Sequence, residues 1–316
     1  MMCLNFAKRL RMLQPEPVSI QKLTHALLEE KGVELAVLRL DQVHPLVSGN
    51  KFFKLKYNLE EAKRLKKNTI LTFGGAFSNH IYATASAAHF AGFRSIGIIR
   101  GEYADSENPT LAHAQKLGMQ LYFVDRESYR QQSSAEFLED LKAQFGDFYL
   151  IPEGGTNDLA IQGTKEILGD QALDFTHFCV SIGTGGTFAG LASVLKSHQK
   201  LLGFSSLKGE FIHQEIGKLL ESNQIVPKGS FEIKTTYHFG GYGKFKSELI
   251  DFVFWFYGEF NIPLDPIYTG KMAFGAWDLI GKDHFPTNSK ILLIHTGGLQ
   301  GNAGFKSKTG IILPIL

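Results

Sequence analysis

VSIGTGGTFAGLASVL, residues 180–195, is the stretch whose reading decides the fold. The apolar run Phe178–Cys179–Val180 leads into it, as a buried strand would. Gly183, Gly185 and Gly186 follow, interleaved with Thr184 and Thr187, and then Phe188, Leu191, Val194 and Leu195 recur at helical spacing. A strand, a glycine loop and a helix in that order leave free backbone N–H groups at a helix N-terminus, where the helix dipole favours a phosphate. Glycine lets the backbone take positive φ and approach such an anion closely. No Lys-Ser/Thr pair follows the last glycine, which excludes a P-loop. Phe188 stands where a dinucleotide fingerprint needs its third glycine. What remains is a phosphate site of another kind, or a tight strand-to-helix turn with no ligand.

Upstream, strands and helices alternate. Leu35–Leu40, Thr69–Phe73, Ser95–Arg100, Leu121–Val124 and Phe148–Ile151 read as strands. Between them, Lys54–Leu65 reads as a charged surface helix, Ile81–Phe90 as a closely packed one, and Ser134–Phe145 as a third. Pro109 is suited to the first position of another helix that Gly118 ends. Downstream, a helix follows PEGGTND to about Leu168, then Glu232–Tyr237 and Ile291–His295 read as strands and Ser247–Phe260 as a helix. This rhythm predicts an α/β fold with two open, twisted, mostly parallel sheets and helices on both faces. No Pro/Gly/Ser-rich linker and no repeat interrupts it, so two packed domains are expected.

Composition narrows the functions. At 316 residues and 44% hydrophobic content the chain can bury one large core or two modest ones. A net charge of +2 with no basic run speaks against nucleic acid as a partner. No apolar stretch reaches membrane-spanning length, and the opening MMCLNFAKRLRML lacks the core of a signal peptide, so a cytoplasmic protein is expected. Cys3 and Cys179 are too few and too far apart for a zinc site, and no metal is expected.

Candidate chemistry sits at strand ends and loops. Lys51, in the turn SGNK, can point into the cleft where α/β sheets bind ligands, although a lone lysine is more commonly a solvated surface group. In GGAFSNH, residues 74–80, Ser78 and Asn79 fall at a helix N-terminus suited to a carboxylate or phenolic oxygen, or serve simply as its cap. Tyr242 and Tyr268 each lie among turn formers, and Thr296 follows the last strand in HTGG.

SGNKFFKLKYNL, GGAFSNHIYATASAA, PEGGTN, SIGTGGTFAGL, DPIYTGKM and HTGGLQG, in this order, resemble the 1-aminocyclopropane-1-carboxylate deaminase/D-cysteine desulfhydrase family. Those enzymes belong to the tryptophan-synthase-β-like, fold-type-II pyridoxal-phosphate enzymes, and the motifs extend from about residue 35 to residue 301. The resemblance implies a cofactor cleft between a large domain of residues 1–50 and 158–316 and a smaller α/β domain of residues 51–157. It implies pyridoxal 5'-phosphate held covalently on Lys51, which also moves the Cα proton. Gly183, Thr184, Gly185, Gly186 and Thr187 would cradle its phosphate, with Lys54 as a second contact. Asn79 would bond the phenolic oxygen, and Ser78, Asn79, His80 and Phe77 would surround a small amino-acid substrate. Ser78, Tyr242 and Tyr268 would be catalytic. A homodimer is the assembly it implies.

Two matched positions separate activities within that family. Ring-opening deaminases resemble one another in carrying Glu after the second tyrosine and Leu before the final Gly-Gly; here the residues are Thr269 and Thr296. A carboxylate at the pyridine nitrogen would keep it protonated, and a hydroxyl would not. The threonines therefore point to a desulfhydrase-like β-elimination giving pyruvate, ammonia and sulfide. The alternatives are ring opening to 2-oxobutyrate and ammonia, or a non-catalytic phosphate- or nucleotide-binding protein. Phe53, Phe77 and Tyr82 depart from the Arg, Gln and Arg usual at those places.

Overall fold

The computed structural model describes residues 13–102 and 108–315. Cys3 and the opening segment, on which the signal-peptide reading rests, lie outside the described residues. The strands are β1 (Ile20–Leu23), β2 (Glu34–Leu38), β3 (Thr69–Gly75), β4 (Arg94–Arg100), β5 (Met119–Val124), β6 (Tyr149–Ile151), β7 (His177–Ile182), β8 (Lys200–Ser205), β9 (Ser230–Lys234) and β10 (Lys290–Ile294). They form a six-stranded sheet in the order β1-β2-β10-β7-β8-β9 and a four-stranded sheet in the order β5-β4-β3-β6. Every pairing is parallel except β1 with β2. Two open, mostly parallel α/β sheets are thus the architecture.

Both faces of the larger sheet are buried, and side-chain alternation along its strands sorts them. Leu35, Val37, Cys179, Leu202, Phe204, Ile291 and Leu293 pack with helices Ser247–Phe260 and Thr269–Gly281. Ala36, Leu38, Phe178, Val180, Leu201, Leu292 and Ile294 pack with helices Gly186–Ala192 and Phe211–Ser222. In the smaller sheet, Ile70 and Ile151 face helices Asn50–Arg64 and Asn79–Ala91. Leu71, Phe73, Ile96 and Ile98 face the side that holds Tyr129 and Leu141.

Several boundaries differ from the sequence reading. The helix expected from Lys54 begins at Asn50, because Gly49 takes φ +67° and turns the chain directly into it. It is not simply a surface helix: Phe52, Lys54, Leu55, Asn58 and Leu59 are buried. Strand β8, KLLGFS, passed unread because a short apolar run is ambiguous between strand and helix. The strand expected at Glu232–Tyr237 lies at Ser230–Lys234. Among the described residues no helix is long and apolar enough to cross a membrane, and no cluster of ligating side chains could hold a metal.

Candidate active site

Parallel strands leave their C-terminal ends on one edge, and ligands of α/β proteins bind there. Residues at or just past the ends of β3, β4, β7 and β10 line one chamber of ≈ 330 Å³, with Gly75, Arg100, Gly183 and Thr296 among its walls.

The glycine loop enters from β7. Gly185 has φ +84° and opens the helix Gly186–Ala192, whose first N–H groups lack intrahelical acceptors by helix geometry. A Cβ on Gly186 would meet Thr156 at 3.0 Å and Lys54 Nζ at 3.2 Å, and one on Gly183 would meet the Tyr268 ring at 3.2 Å. Lys54 is 2% exposed, and its Nζ donates to Gly154 O (2.9 Å), Thr156 Oγ1 (2.9 Å) and Thr184 Oγ1 (3.4 Å). Burial, then the Lys51 charge, pushes its pKa well below the ordinary lysine value. A buried ammonium with neutral acceptors only is a poorly compensated charge, and a phosphate on the loop would compensate it. The residues present fit that group.

Lys51 lies in the first turn of its helix rather than in a free turn, and it is half-buried in the chamber wall. Two contacts fix this turn: Asn50 Nδ2 donates to Thr187 Oγ1 (2.7 Å), and Asn50 N donates to Thr296 O (3.2 Å). Gly49 is required there, since a Cβ would come within 1.9 Å of Thr296 O. Lys51 Nζ has Asn50 Oδ1 at 3.3 Å, and burial lowers its pKa to about 8.

Opposite stands the GGAFSNH loop. Ser78 caps the helix Asn79–Ala91, its Oγ accepting from His80 N (3.2 Å) and Ile81 N (3.3 Å). Asn79 Oδ1 accepts from Gln300 Nε2 (2.8 Å) and so ties this loop to the last helix. His80 borders the chamber, but its ring Nε2 is spent on Thr72 Oγ1 at 2.8 Å. Thr72 donates its own proton to Ile151 O (2.7 Å), so His80 Nε2 must carry a proton and be the donor. Burial, then the Lys51 and Lys54 charges, keeps its pKa well below the ordinary value.

Tyr268 and Tyr242 lie with ring centroids 6.1 Å apart at 62°. Burial first, then the Tyr242 hydroxyl, pushes the Tyr268 phenol well up, so it stays protonated. Tyr242 is 46% exposed on a loop with three positive-φ glycines, Gly240, Gly241 and Gly243. Buried Lys271 donates to Gly241 O (2.8 Å) and secures that loop.

Two expectations need correction. Thr269 does not line the chamber: it is fully buried, donates to Asp265 Oδ2 (2.5 Å) and accepts from Asp265 N (3.0 Å), closing its own loop. Thr296 does line it, with Ser181 Oγ 3.1 Å from its Oγ1. Phe77 lines not this chamber but a neighbouring one, under Lys308 Nζ at 3.9 Å from its ring. Tyr82 stacks on His113 at 3.7 Å and lines neither. Asn50, Thr156, Ser181 and Arg100 belong to the chamber or its support and were not singled out from sequence. The quoted motifs SGNK, PEGGTN and SIGTGGTFAGL held the signal for the first three.

Fold and site together define an α/β enzyme whose glycine loop and buried Lys54 fit a phosphate, beside a lysine of lowered pKa. The chain belongs to the pyridoxal-phosphate dependent enzyme family, whose profile matches residues 18–297. It is 31% identical over 302 residues to the mitochondrial bifunctional D-cysteine desulfhydrase/1-aminocyclopropane-1-carboxylate deaminase of Arabidopsis thaliana, covering 85% of this chain and 73% of that one. It is 28% identical to the D-cysteine desulfhydrase of Klebsiella pneumoniae over 86% of this chain and 89% of that one. A crystal structure of an ACC deaminase homologue superposes with TM-score 0.81 at 28% identity, over 96% of this chain and 98% of that one.

Proposed function

We propose that this enzyme is a lyase acting on a small amino acid by D-cysteine-desulfhydrase-like β-elimination, giving pyruvate, ammonia and sulfide. The observation that carries the reading is the pair of lysines at the glycine loop, half-buried Lys51 with a pKa of about 8 and buried Lys54 without a carboxylate partner. The names of the Arabidopsis and Klebsiella relatives support the substrate class. The proposal includes a homodimer in the cytoplasm, with residues 1–50 and 158–316 as the cofactor domain and 51–157 as the smaller one. Light scattering on the purified chain tests the assembly.

In this reading Lys51 would hold the cofactor covalently, Lys54 and the backbone of residues 183–187 would hold its phosphate, and Asn79 would hold its phenolic oxygen. Thr296, whose Oγ1 lies 3.1 Å from Ser181 Oγ, would offer the ring nitrogen a hydroxyl. When bound, the cofactor supplies an electron sink for the pair left on the substrate Cα. Ser78 and neighbouring N–H groups at this helix start would receive the substrate carboxylate. With the substrate amine bound, Lys51 Nζ would take up the Cα proton. With a pKa of about 8, about a tenth of such amines are neutral at neutral pH, against a negligible fraction for ordinary lysine. Tyr268, kept protonated, has a proton to give the departing sulfur at its Oη. Tyr242 covers the mouth.

The test is cofactor uptake followed by borohydride trapping and peptide mapping, with a screen of D- and L-amino acids for keto-acid release. Label on Lys51 and pyruvate from D-cysteine are expected. A protein that takes up no pyridoxal phosphate, or carries it on another lysine, overturns the site assignment. Release of 2-oxobutyrate from 1-aminocyclopropane-1-carboxylate at a rate matching its best elimination overturns the choice of reaction.

A further inference from the structure

The cleft widens beyond Lys51 into an outer chamber of ≈ 930 Å³, against ≈ 330 Å³ inside. Gly75, Asn79, Arg100, Glu153, Tyr242 and Tyr268 wall both, so the two are continuous. A cysteine-sized substrate would leave the outer chamber unused.

Its chemistry is specific. Arg100, Arg126, Arg130 and Lys308 line it against the carboxylates of Glu153 and Asp265. Both carboxylates are engaged. Asp265 accepts from the backbone N–H groups of Ile267 (2.9 Å), Tyr268 (2.7 Å) and Thr269 (2.9 Å) and from the Thr269 hydroxyl. Glu153 accepts from Gln132 Nε2 (3.0 Å). Among the described residues, arginine ion pairs occur at Arg39 and Arg64, and none involves the three chamber arginines. Arg126 and Arg130 are four apart on one helical turn and so share a face.

A second observation points the same way. Tyr129, between those two arginines in sequence, is 2% exposed, borders the chamber, and has an Oη with no hydrogen-bond partner. The Arg100 guanidinium lies 5.4 Å from its ring centroid. Burial, then the nearby Glu153 carboxylate, raises this phenol, so it keeps its proton and can donate. Unpaired arginines and an unsatisfied donor around one cavity are what an anion requires.

We propose that the outer chamber binds an anionic group (carboxylate, sulfonate or phosphate) at the far end of the substrate, so that this enzyme takes an acidic amino acid larger than cysteine. The inference rests on the amino-acid reading of the inner chamber and sharpens its substrate class. Arg126 and Arg130 supply the charge, Tyr129 the neutral donor, and Arg100 stands at the join of the two chambers.

The experiment compares isosteres by calorimetry on the cofactor-loaded protein: D- and L-glutamate against D- and L-glutamine, and O-phosphoserine against serine. The expected result is that the acidic member of at least one pair binds about tenfold or more tightly, as a charge-assisted hydrogen bond allows. That preference should vanish in the Arg126→Gln/Arg130→Gln variant and shrink in Tyr129→Phe, with the neutral member unchanged. Both arginines are exposed, so folding should survive, and cofactor uptake checks it. Equal binding of acidic and neutral members, or a preference that survives the double variant, overturns the proposal. So does an arginine-dependent response to inorganic phosphate alone with no isostere preference, which would mean a separate anion. Failure of the parent reading is seen separately, as absence of cofactor uptake; the same pairs are then compared on the cofactor-free protein, where an arginine-dependent preference for the acidic member still scores the charge preference.

Discussion

Replacing Lys54 by Met tests the phosphate cradle most directly. The side chain is buried, so Met keeps the volume while removing the charge and the donor shared among Gly154 O, Thr156 Oγ1 and Thr184 Oγ1. A bound phosphate would lose one charge-assisted hydrogen bond, about 1.5–3 kcal/mol. That corresponds to about 10- to 150-fold weaker binding of pyridoxal phosphate. Pyridoxal, which has no phosphate, should bind the variant as it binds the parent. Absorbance titrations of the cofactor-free protein with the two compounds measure both numbers. The variant also changes stability with pH. Lys54 has its folded pKa well below the ordinary value, so the unfolded chain holds more protons than the folded one. Stability of the cofactor-free parent therefore rises with pH between the folded and unfolded pKa values, and its destabilising charge is fully present below them. Lys54→Met should melt with a flatter pH dependence in the range below the ordinary lysine value. Equal losses for pyridoxal and pyridoxal phosphate would refute the assignment of Lys54 to the phosphate.

Lys51→Ala should abolish turnover and reductive trapping while leaving the circular dichroism melt near that of the parent, because the half-buried side chain anchors nothing but Asn50 Oδ1 at 3.3 Å. Since burial lowers the Lys51 pKa to about 8, the rate of cofactor capture should climb as pH rises to that value and level off above it. A rate still climbing toward pH 10.5, the ordinary lysine value, would contradict this. Gly49→Ala should cost more than about 3 kcal/mol, through positive φ together with a Cβ 1.9 Å from Thr296 O, and show as a large loss of soluble protein or of Tm. Thr269→Val should lose about 1–3 kcal/mol in denaturant melts through the Asp265 contact yet leave pyridoxal-phosphate affinity alone. Thr296→Val should do the opposite, shifting the cofactor's absorbance with little change in stability.

What could be read from the sequence was whatever is local. The glycine loop was legible because strand, positive-φ residue and helix follow one another within a few positions, and Gly185 does take φ +84° at the start of that helix. The repeated strand-helix alternation led to two open parallel sheets for the same reason. Contacts made between distant segments left no such trace. Lys54 could be named, but not that Gly154, Thr156 and Thr184 would receive its ammonium, since these lie on two separate loops. Nor could Thr269 be told from Thr296. Both stand beside a motif residue, yet one hydroxyl turns back four positions to Asp265 and the other into the chamber. Direction is set by the backbone at a helix start, and Tyr268, at φ −123° and ψ −71°, is where that turn is made. The outer chamber is the extreme case. Arg126, Tyr129 and Arg130 sit on a five-residue helix with no motif of their own, and only the pairing of β4 with β5 brings them beside Arg100 and the mouth of the cleft. Under the proposal made for this chamber, the residues that set substrate choice lie wholly outside the quoted motifs, because holding a phosphate needs a few fixed backbone positions, whereas gripping the far end of a substrate needs only side chains that topology gathers at the mouth.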